Sequence, residues 1–231
     1  MLWLWILLGV IVVLAVLLGV ASGYFFRFSI RRHRRELTDE QYNDPGSIWQ
    51  PFASRMAQAQ EYIRTHTTER ITLRSYDGLE LTALYLPAQG EPKGTVIAFH
   101  GYRSLATIDF ALEVEFLCSL GYDVLLPYQR SHGLSQGKYI TYGVKERFDC
   151  RDWAKYAAQR WGERPLFLMG ISMGSATVMM ASDLDLPKST RGIVADCGFT
   201  SPWEIMAHVA KRDFRLPPFP LLYLLDVIAR L

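Results

Sequence analysis

Apolar and polar positions divide the chain into three stretches. From Met1 to Phe26 no side chain is charged and the apolar residues run without a period. At 1.5 Å per residue such a run exceeds the roughly 30 Å hydrocarbon core of a bilayer. Trp3 and Trp5 at one end, and Tyr24, Phe25 and Phe26 at the other, stand where interfacial aromatic belts stand. The pattern predicts a transmembrane helix over residues 1–26. A cleaved leader would carry its positive charge ahead of a shorter apolar core. Residues 27–69 read as a basic juxtamembrane segment and a stalk helix. Asn43-Asp44-Pro45-Gly46 marks a turn, and Phe52, Met56, Ala59 and Ile63 then recur at helical spacing.

Residues 70–231 form the third stretch, which changes period twice. Ile71, Leu73 and Ser75 alternate with polar residues, Asp77-Gly78 turns the chain, and Leu79, Leu81 and Ala83 resume the alternation. Buried-strand runs then alternate with helical patterns. Strands are predicted at Thr95–Phe99, Asp123–Leu126, Leu166–Met169 and Ile193–Ala195. Helices are predicted at Thr107–Leu120, Phe148–Trp161, Met173–Ser182 and Trp203–Arg212. In the first helix Ile108, Ala111, Leu112 and Leu117 are expected inward, and in the second Cys150, Trp153, Ala154 and Ala157. Strand–helix alternation after an opening hairpin implies an α/β fold, with a mostly parallel sheet covered on both faces.

Charge refines this picture. The formal net charge is +2 over 231 residues. Five arginines (Arg27, Arg31, Arg32, Arg34 and Arg35) crowd directly behind the apolar run, and without them acidic residues outnumber basic ones. The globular stretch therefore has no electrostatic footprint for nucleic acid. The same arginines orient the span by the positive-inside rule, which puts them and the globular part in the cytoplasm, with the lipid bilayer as a partner. Three cysteines, Cys118, Cys150 and Cys197, are too few and too apolar in context for a disulfide framework.

The candidate chemistry centres on Gly170-Ile171-Ser172-Met173-Gly174. This is G-x-S-x-G where an apolar strand ends and a helix begins, a sharp turn that raises a serine hydroxyl above the sheet edge. Ser172 is the candidate nucleophile, weighed against a purely structural turn with a capping serine. An oxyanion hole needs two backbone N–H groups. Met173 supplies one candidate and Tyr102, in His100-Gly101-Tyr102-Arg103-Ser104 after the third strand, the other. The spacing shows no metal cluster, phosphate-cradling glycine loop or nucleotide fingerprint, so no cofactor is expected.

Together with Gln129-Arg130-Ser131-His132-Gly133-Leu134-Ser135 after the fourth strand and Asp196-Cys197-Gly198-Phe199-Thr200-Ser201 after the sixth, these motifs resemble the α/β-hydrolase fold. With the apolar N-terminus, they resemble membrane-anchored bacterial hydrolases of the serine aminopeptidase/lysophospholipase-like type. The resemblance covers about Ile71 to Arg212. It implies that His132 is structural or substrate-contacting rather than the base, while His100, which precedes the serine and belongs to the oxyanion motif, is expected to support that loop. It also implies the order serine, acid, histidine, with the last two on loops after a seventh and an eighth strand. The chain is expected to lack those two strands, its Leu216–Leu231 segment reading as the start of a lid helix with Asp226 paired to Arg230. Asp196 and His208 are a formal substitute pair, but His208 falls inside a predicted helix. Two functions follow. One is a serine hydrolase acting on a small acyl, lipid or peptide substrate, as ester, thioester or amide. The other is a non-catalytic hydrolase-like interaction module.

Overall fold

The computed structural model describes residues 1–32 and 50–230. The predicted turn at Asn43–Gly46, Arg34 and Arg35, and the Arg230 side chain of the expected Asp226–Arg230 pair lie outside the described residues. The chain divides into two compact units, residues 32–199 and residues 1–31 with 200–231.

The larger unit is a six-stranded sheet between two helical layers. Its strands are β1 (Glu69–Arg74), β2 (Glu80–Leu86), β3 (Gly94–Phe99), β4 (Tyr122–Pro127), β5 (Leu166–Ile171) and β6 (Thr190–Asp196), in spatial order β1-β2-β4-β3-β5-β6. The hairpin β1–β2 pairs Ile71 with Ala83, and β2 joins β4 antiparallel. From β4 onward every pairing is parallel. The turn is built by Ser75, whose hydroxyl donates to Asp77 Oδ1 at 2.7 Å and accepts the Leu79 N–H at 2.9 Å, with Gly78 at φ 86°.

Every residue of β3 is buried, as expected of a central strand covered on both faces. Alternate side chains serve alternate layers. Ile97, Phe99, Leu125 and Leu168 pack with Cys150, Trp153, Ala154 and Ala157 of α5 (Glu146–Trp161) and with Val178 of α6 (Met173–Ala181). Ala98, Val124 and Leu126 face the other way. They meet Met56, Ala59 and Ile63 of α2 (Ala53–His66), and Phe110, Val114 and Cys118 on α3 (Ala106–Asp109), α4 (Ala111–Ser119) and the residue joining them. The α5 face is the one the spacing predicts. The Thr107–Leu120 helix keeps its predicted face only in part, with Ala111 in the core and Leu117 packed against it. It breaks at Phe110 (φ −111°, ψ 14°), the break resets the helical phase, and Phe110 takes the core while Leu112 is left 41% exposed. Phe52 also departs from prediction, lying exposed in a 3-10 turn ahead of α2.

The smaller unit contains α1 (Leu2–Ser29), α7 (Pro202–Asp213) and α8 (Pro218–Arg230). α1 is long and apolar enough to cross a membrane, with mean hydropathy 3.0 over its most apolar window. Its last turns are buried at Ser22, Phe25 and Ser29. Phe25 and Phe28 both meet the Phe214 ring edge-on, at 5.3 and 5.1 Å between centroids. Ser201 caps α7 by accepting the Glu204 N–H at 3.1 Å, with Pro202 at the first helical position.

Leu125 is fully buried in the middle of the sheet, and Leu120 is 41% exposed after α4. Leu125→Ala should lower unfolding free energy by about 2–5 kcal/mol and Leu120→Ala by less than about 1 kcal/mol. Urea unfolding of the detergent-solubilised protein checks both, and equal losses would contradict the layer assignment.

Candidate active site

The β5–α6 junction carries the G-x-S-x-G segment. Ser172 has φ 54° and ψ −111°, a conformation that L side chains rarely adopt. Its N–H donates to the Asp196 carbonyl at 2.9 Å, and its own carbonyl accepts the Ala176 N–H at 3.1 Å. Both glycines are sterically required. A Cβ on Gly174 would lie 1.8 Å from the Phe99 carbonyl oxygen, and one on Gly170 would lie 2.3 Å from the Gly174 oxygen. The sharp turn exists because α6 can press its first residues against the end of β3.

The same closeness brings the loop after β3 to the serine. An added Cβ on Gly101 would sit 3.4 Å from Ser172 Cβ. Asp109 holds this loop, its carboxylate accepting the Gly101 N–H at 2.7 Å and the Ser104 hydroxyl at 2.5 Å. Tyr102 lies in it, its ring stacked on Tyr142 at 5.2 Å, and Arg103 follows at φ 55°. Met173 is fully buried at the first position of α6. Its N–H is among the helix-start donors that have no intrahelical acceptor. Ser172, Met173 and the Tyr102 loop thus converge on one sheet edge.

Two histidines brace the loops here, and both use both ring nitrogens. His100 Nδ1 bonds the Gly101 carbonyl at 2.8 Å and Nε2 accepts the Gln129 N–H at 3.1 Å. His132 Nδ1 bonds the Arg130 carbonyl at 2.9 Å and Nε2 accepts the Arg103 N–H at 3.1 Å. Each arrangement fixes the neutral Nδ1–H tautomer, because Nε2 must accept. Burial holds His132 down at about 4, with the Arg32 and Arg103 charges adding to the effect. Burial holds His100 well below the usual imidazole range, with His132 adding to it. Neither ring has a nitrogen left to take the Ser172 proton.

The loop after β4 is anchored by an ion cluster that the spacing does not reveal. Arg130, 3% exposed, clamps Asp149 through two bonds of 2.6 and 2.7 Å and reaches Asp77 at 2.9 Å. Burial pushes the Asp149 carboxyl up to about 6 against the pull of Arg130. Gln129 donates to the His100 carbonyl at 2.5 Å and accepts the Thr177 hydroxyl at 3.1 Å. Buried Glu146 accepts from Thr141 N, Thr141 Oγ1 and Gly143 N at 2.9, 2.5 and 2.9 Å, which sets Tyr142 against Tyr102. Arg32, counted in the sequence only as a juxtamembrane charge, donates to the Ser135 and Gly133 carbonyls at 2.7 and 2.6 Å.

The backbone carbonyl of Asp196 abuts Ser172, while its side chain is exposed. His208 is exposed on α7, in the other unit. Cys197 is an exposed free thiol. Among the described residues no group of three or more His, Cys, Asp or Glu could hold a metal ion.

A parallel sheet entered by an antiparallel hairpin, with a strained serine at a strand-to-helix elbow, defines an α/β-hydrolase fold. The chain belongs to the serine aminopeptidase S33 hydrolase family, whose model matches residues 90–222. The Pyrococcus furiosus esterase Pf2001 superposes with a TM-score of 0.54 at 27% identity, over 68% of this chain and 59% of that one. An uncharacterised Bacillus subtilis protein, YqkD, is 26% identical over 170 residues, covering 68% of this chain and 55% of its own length. Caffeoylshikimate esterase of Arabidopsis thaliana is 30% identical over 139 residues, covering 58% of this chain and 41% of the plant enzyme. The chain spans about half the length of the curated relatives it matches.

Because His132 is neutral when folded and charges near the ordinary 6.5 when unfolded, the unfolded chain binds its proton first on acidification. Its contribution is therefore present above about pH 6.5 and lost as pH falls toward 4. In His132→Gln an amide oxygen can still accept the Arg103 N–H but does not titrate. The stability advantage of wild type over His132→Gln should shrink across that window, as read by urea midpoints at each pH. A constant difference would mean that His132 is not held neutral.

Proposed function

We propose that this protein is a membrane-anchored serine hydrolase that cleaves an acyl ester through an acyl-enzyme, with Ser172 as the nucleophile. The observation that carries the reading is the Ser172 backbone, held at φ 54° between two glycines that accept no side chain. Strain of this kind persists where surrounding packing over-determines it, as at nucleophile elbows. Membership of a hydrolase family and likeness to two proteins named esterases support ester as the bond cleaved.

In this reading the Ser172 oxygen attacks the acyl carbon while a histidine takes its proton. The N–H groups of Met173 and Tyr102 receive the carbonyl oxygen as it gains charge, and the α6 N-terminus adds its positive end. The alkoxide leaves with the proton, and water then releases the acid. The base is neither His100 nor His132, whose ring nitrogens brace loops.

α1 serves as the anchor, since its apolar length fits a bilayer and the arginines begin only at its last turns, with Arg27. By the same bias the globular part faces the cytoplasm. A substrate drawn from the membrane, with a small acyl or lipid ester, fits this placement.

In membranes from cells expressing the natural gene, a fluorophosphonate should label the protein at Ser172. Ser172→Ala should abolish the label and lower ester turnover by about 10⁴–10⁶ with the fold intact. A folded protein that neither labels nor turns over ester would favour the non-catalytic interaction module instead. His208→Ala, tested alongside, should leave labelling unchanged; its loss with the fold intact would place the base on α7. For orientation, protease added outside intact cells should spare the domain and protease added to lysed cells should digest it. Digestion from outside would reverse the assigned topology.

A further inference from the structure

The α7–α8 segment ends in a helix that is apolar on both sides. Leu221, Leu222 and Leu225 of α8 are buried, each 3% exposed or less, within a unit whose α1 packs its Ser22, Phe25 and Ser29 inward. The opposite side holds Phe219, Tyr223 and Val227, which are 70%, 58% and 53% exposed. Only Asp226 and Arg230 in this helix are charged, and a helix so largely apolar is ordinarily buried on most of its sides. Here one side has no cover among the described residues.

The exposed side is aromatic. The Trp203 ring of α7 meets Tyr223 edge-on at 5.0 Å, and Phe219 meets Tyr223 at 5.6 Å. Leu216, 37% exposed, lies in the connection between the two helices. Trp, Tyr and Phe in one continuous patch are the residue types that settle at a membrane–water boundary.

Its level along α1 is fixed by packing. Phe214, which ends α7, touches Phe25 and Phe28, and Tyr24 stacks on Phe28 at 6.5 Å. This is the end of α1 where the uncharged run stops and Arg27 and Arg31 begin. Exposed Lys211 and Arg215 lie near Phe214 in the chain, where Arg212 is paired with Asp213 at 2.6 Å. Cations beside an aromatic stripe match an anionic lipid surface.

We propose that α7 and α8 form a second, interfacial attachment. Their Trp203–Phe219–Tyr223–Val227 face is seated in the headgroup–acyl boundary of an anionic phospholipid bilayer beside α1. The occupant is the lipid surface, because the stripe is aromatic and the segment that bears it packs through Phe214 on the end of α1 where the uncharged run stops and Arg27 and Arg31 begin. The inference rests on the reading of α1 as a membrane span. It adds that the protein grips the bilayer along its surface as well as through it.

The test uses the full chain in vesicles of phosphatidylcholine and phosphatidylglycerol, with Cys197→Ser to remove the exposed thiol. Nitroxide labels are placed one at a time through Phe219→Cys, Tyr223→Cys and Val227→Cys, and through Leu14→Cys as the depth reference. Collisions with oxygen, which partitions into lipid, are compared with those of a water-soluble nickel chelate. All four positions are exposed, so wild-type unfolding midpoints are expected. The Leu14 label should report the bilayer interior, and the three α8 labels a shallower depth with oxygen collisions still dominant. A deep Leu14 label with nickel-dominated α8 labels would overturn the interfacial attachment and leave the span standing. α8 labels shielded from both reagents would overturn it in favour of a protein partner or second copy. A nickel-accessible Leu14 label would overturn the span reading and this inference with it.

Discussion

The geometry around Ser172 depends on one buried guanidinium. Arg130 is taken out of water with Asp149 and braced by Asp77, so three distant segments meet at one point: the β1–β2 turn, the loop after β4 and the first turn of α5. A buried charge whose partner is removed costs about 3–5 kcal/mol, so the loop has no inexpensive alternative position. Its neighbours pass that constraint on. Gln129 fixes His100 through the backbone and the side chain, and His132 fixes Arg103. The loop facing the serine is thus held from behind by groups with no polar atom to spare.

The serine elbow is held by steric exclusion rather than by charge. Gly174 rests against the Phe99 carbonyl and Gly170 against Gly174, so the helix start approaches β3 more closely than any side chain permits. That approach forces the backbone of Ser172 to positive φ and also brings Gly101 against it. One packing requirement therefore produces both the strained serine and its neighbourhood to the loop. The buried imidazoles near it are structural acceptors, and their neutrality is a condition of the loop's shape.

The layers were largely legible because buried strands and amphipathic helices have different periods. The α5 face, the hairpin turn and the glycine stops at Gly121 and Gly162 follow from local rules. The departure at Phe110 shows where such rules stop. A helix pattern continues through Phe110 in sequence, but the sheet offers that ring a fully buried place, and breaking the helix there fills it at the expense of exposing Leu112. The G-x-S-x-G serine was legible for the opposite reason. Its conformational requirement is local, and two glycines at fixed offsets announce it.

By itself the sequence determined the α/β class, the apolar N-terminal helix, the position of the serine and the strand ends on which its neighbours stand. All of these are set by period, composition or short-range sterics. Only the tertiary structure decided which polar residues hold those strand ends. Asp149 carries no local signature and Asp77 only that of a turn, and both acquire their hold on the loop from Arg130, which folding brings close. The same holds for His100 and His132. A histidine in sequence is equally a base, a ligand or a brace, and burial together with two occupied nitrogens makes these two braces.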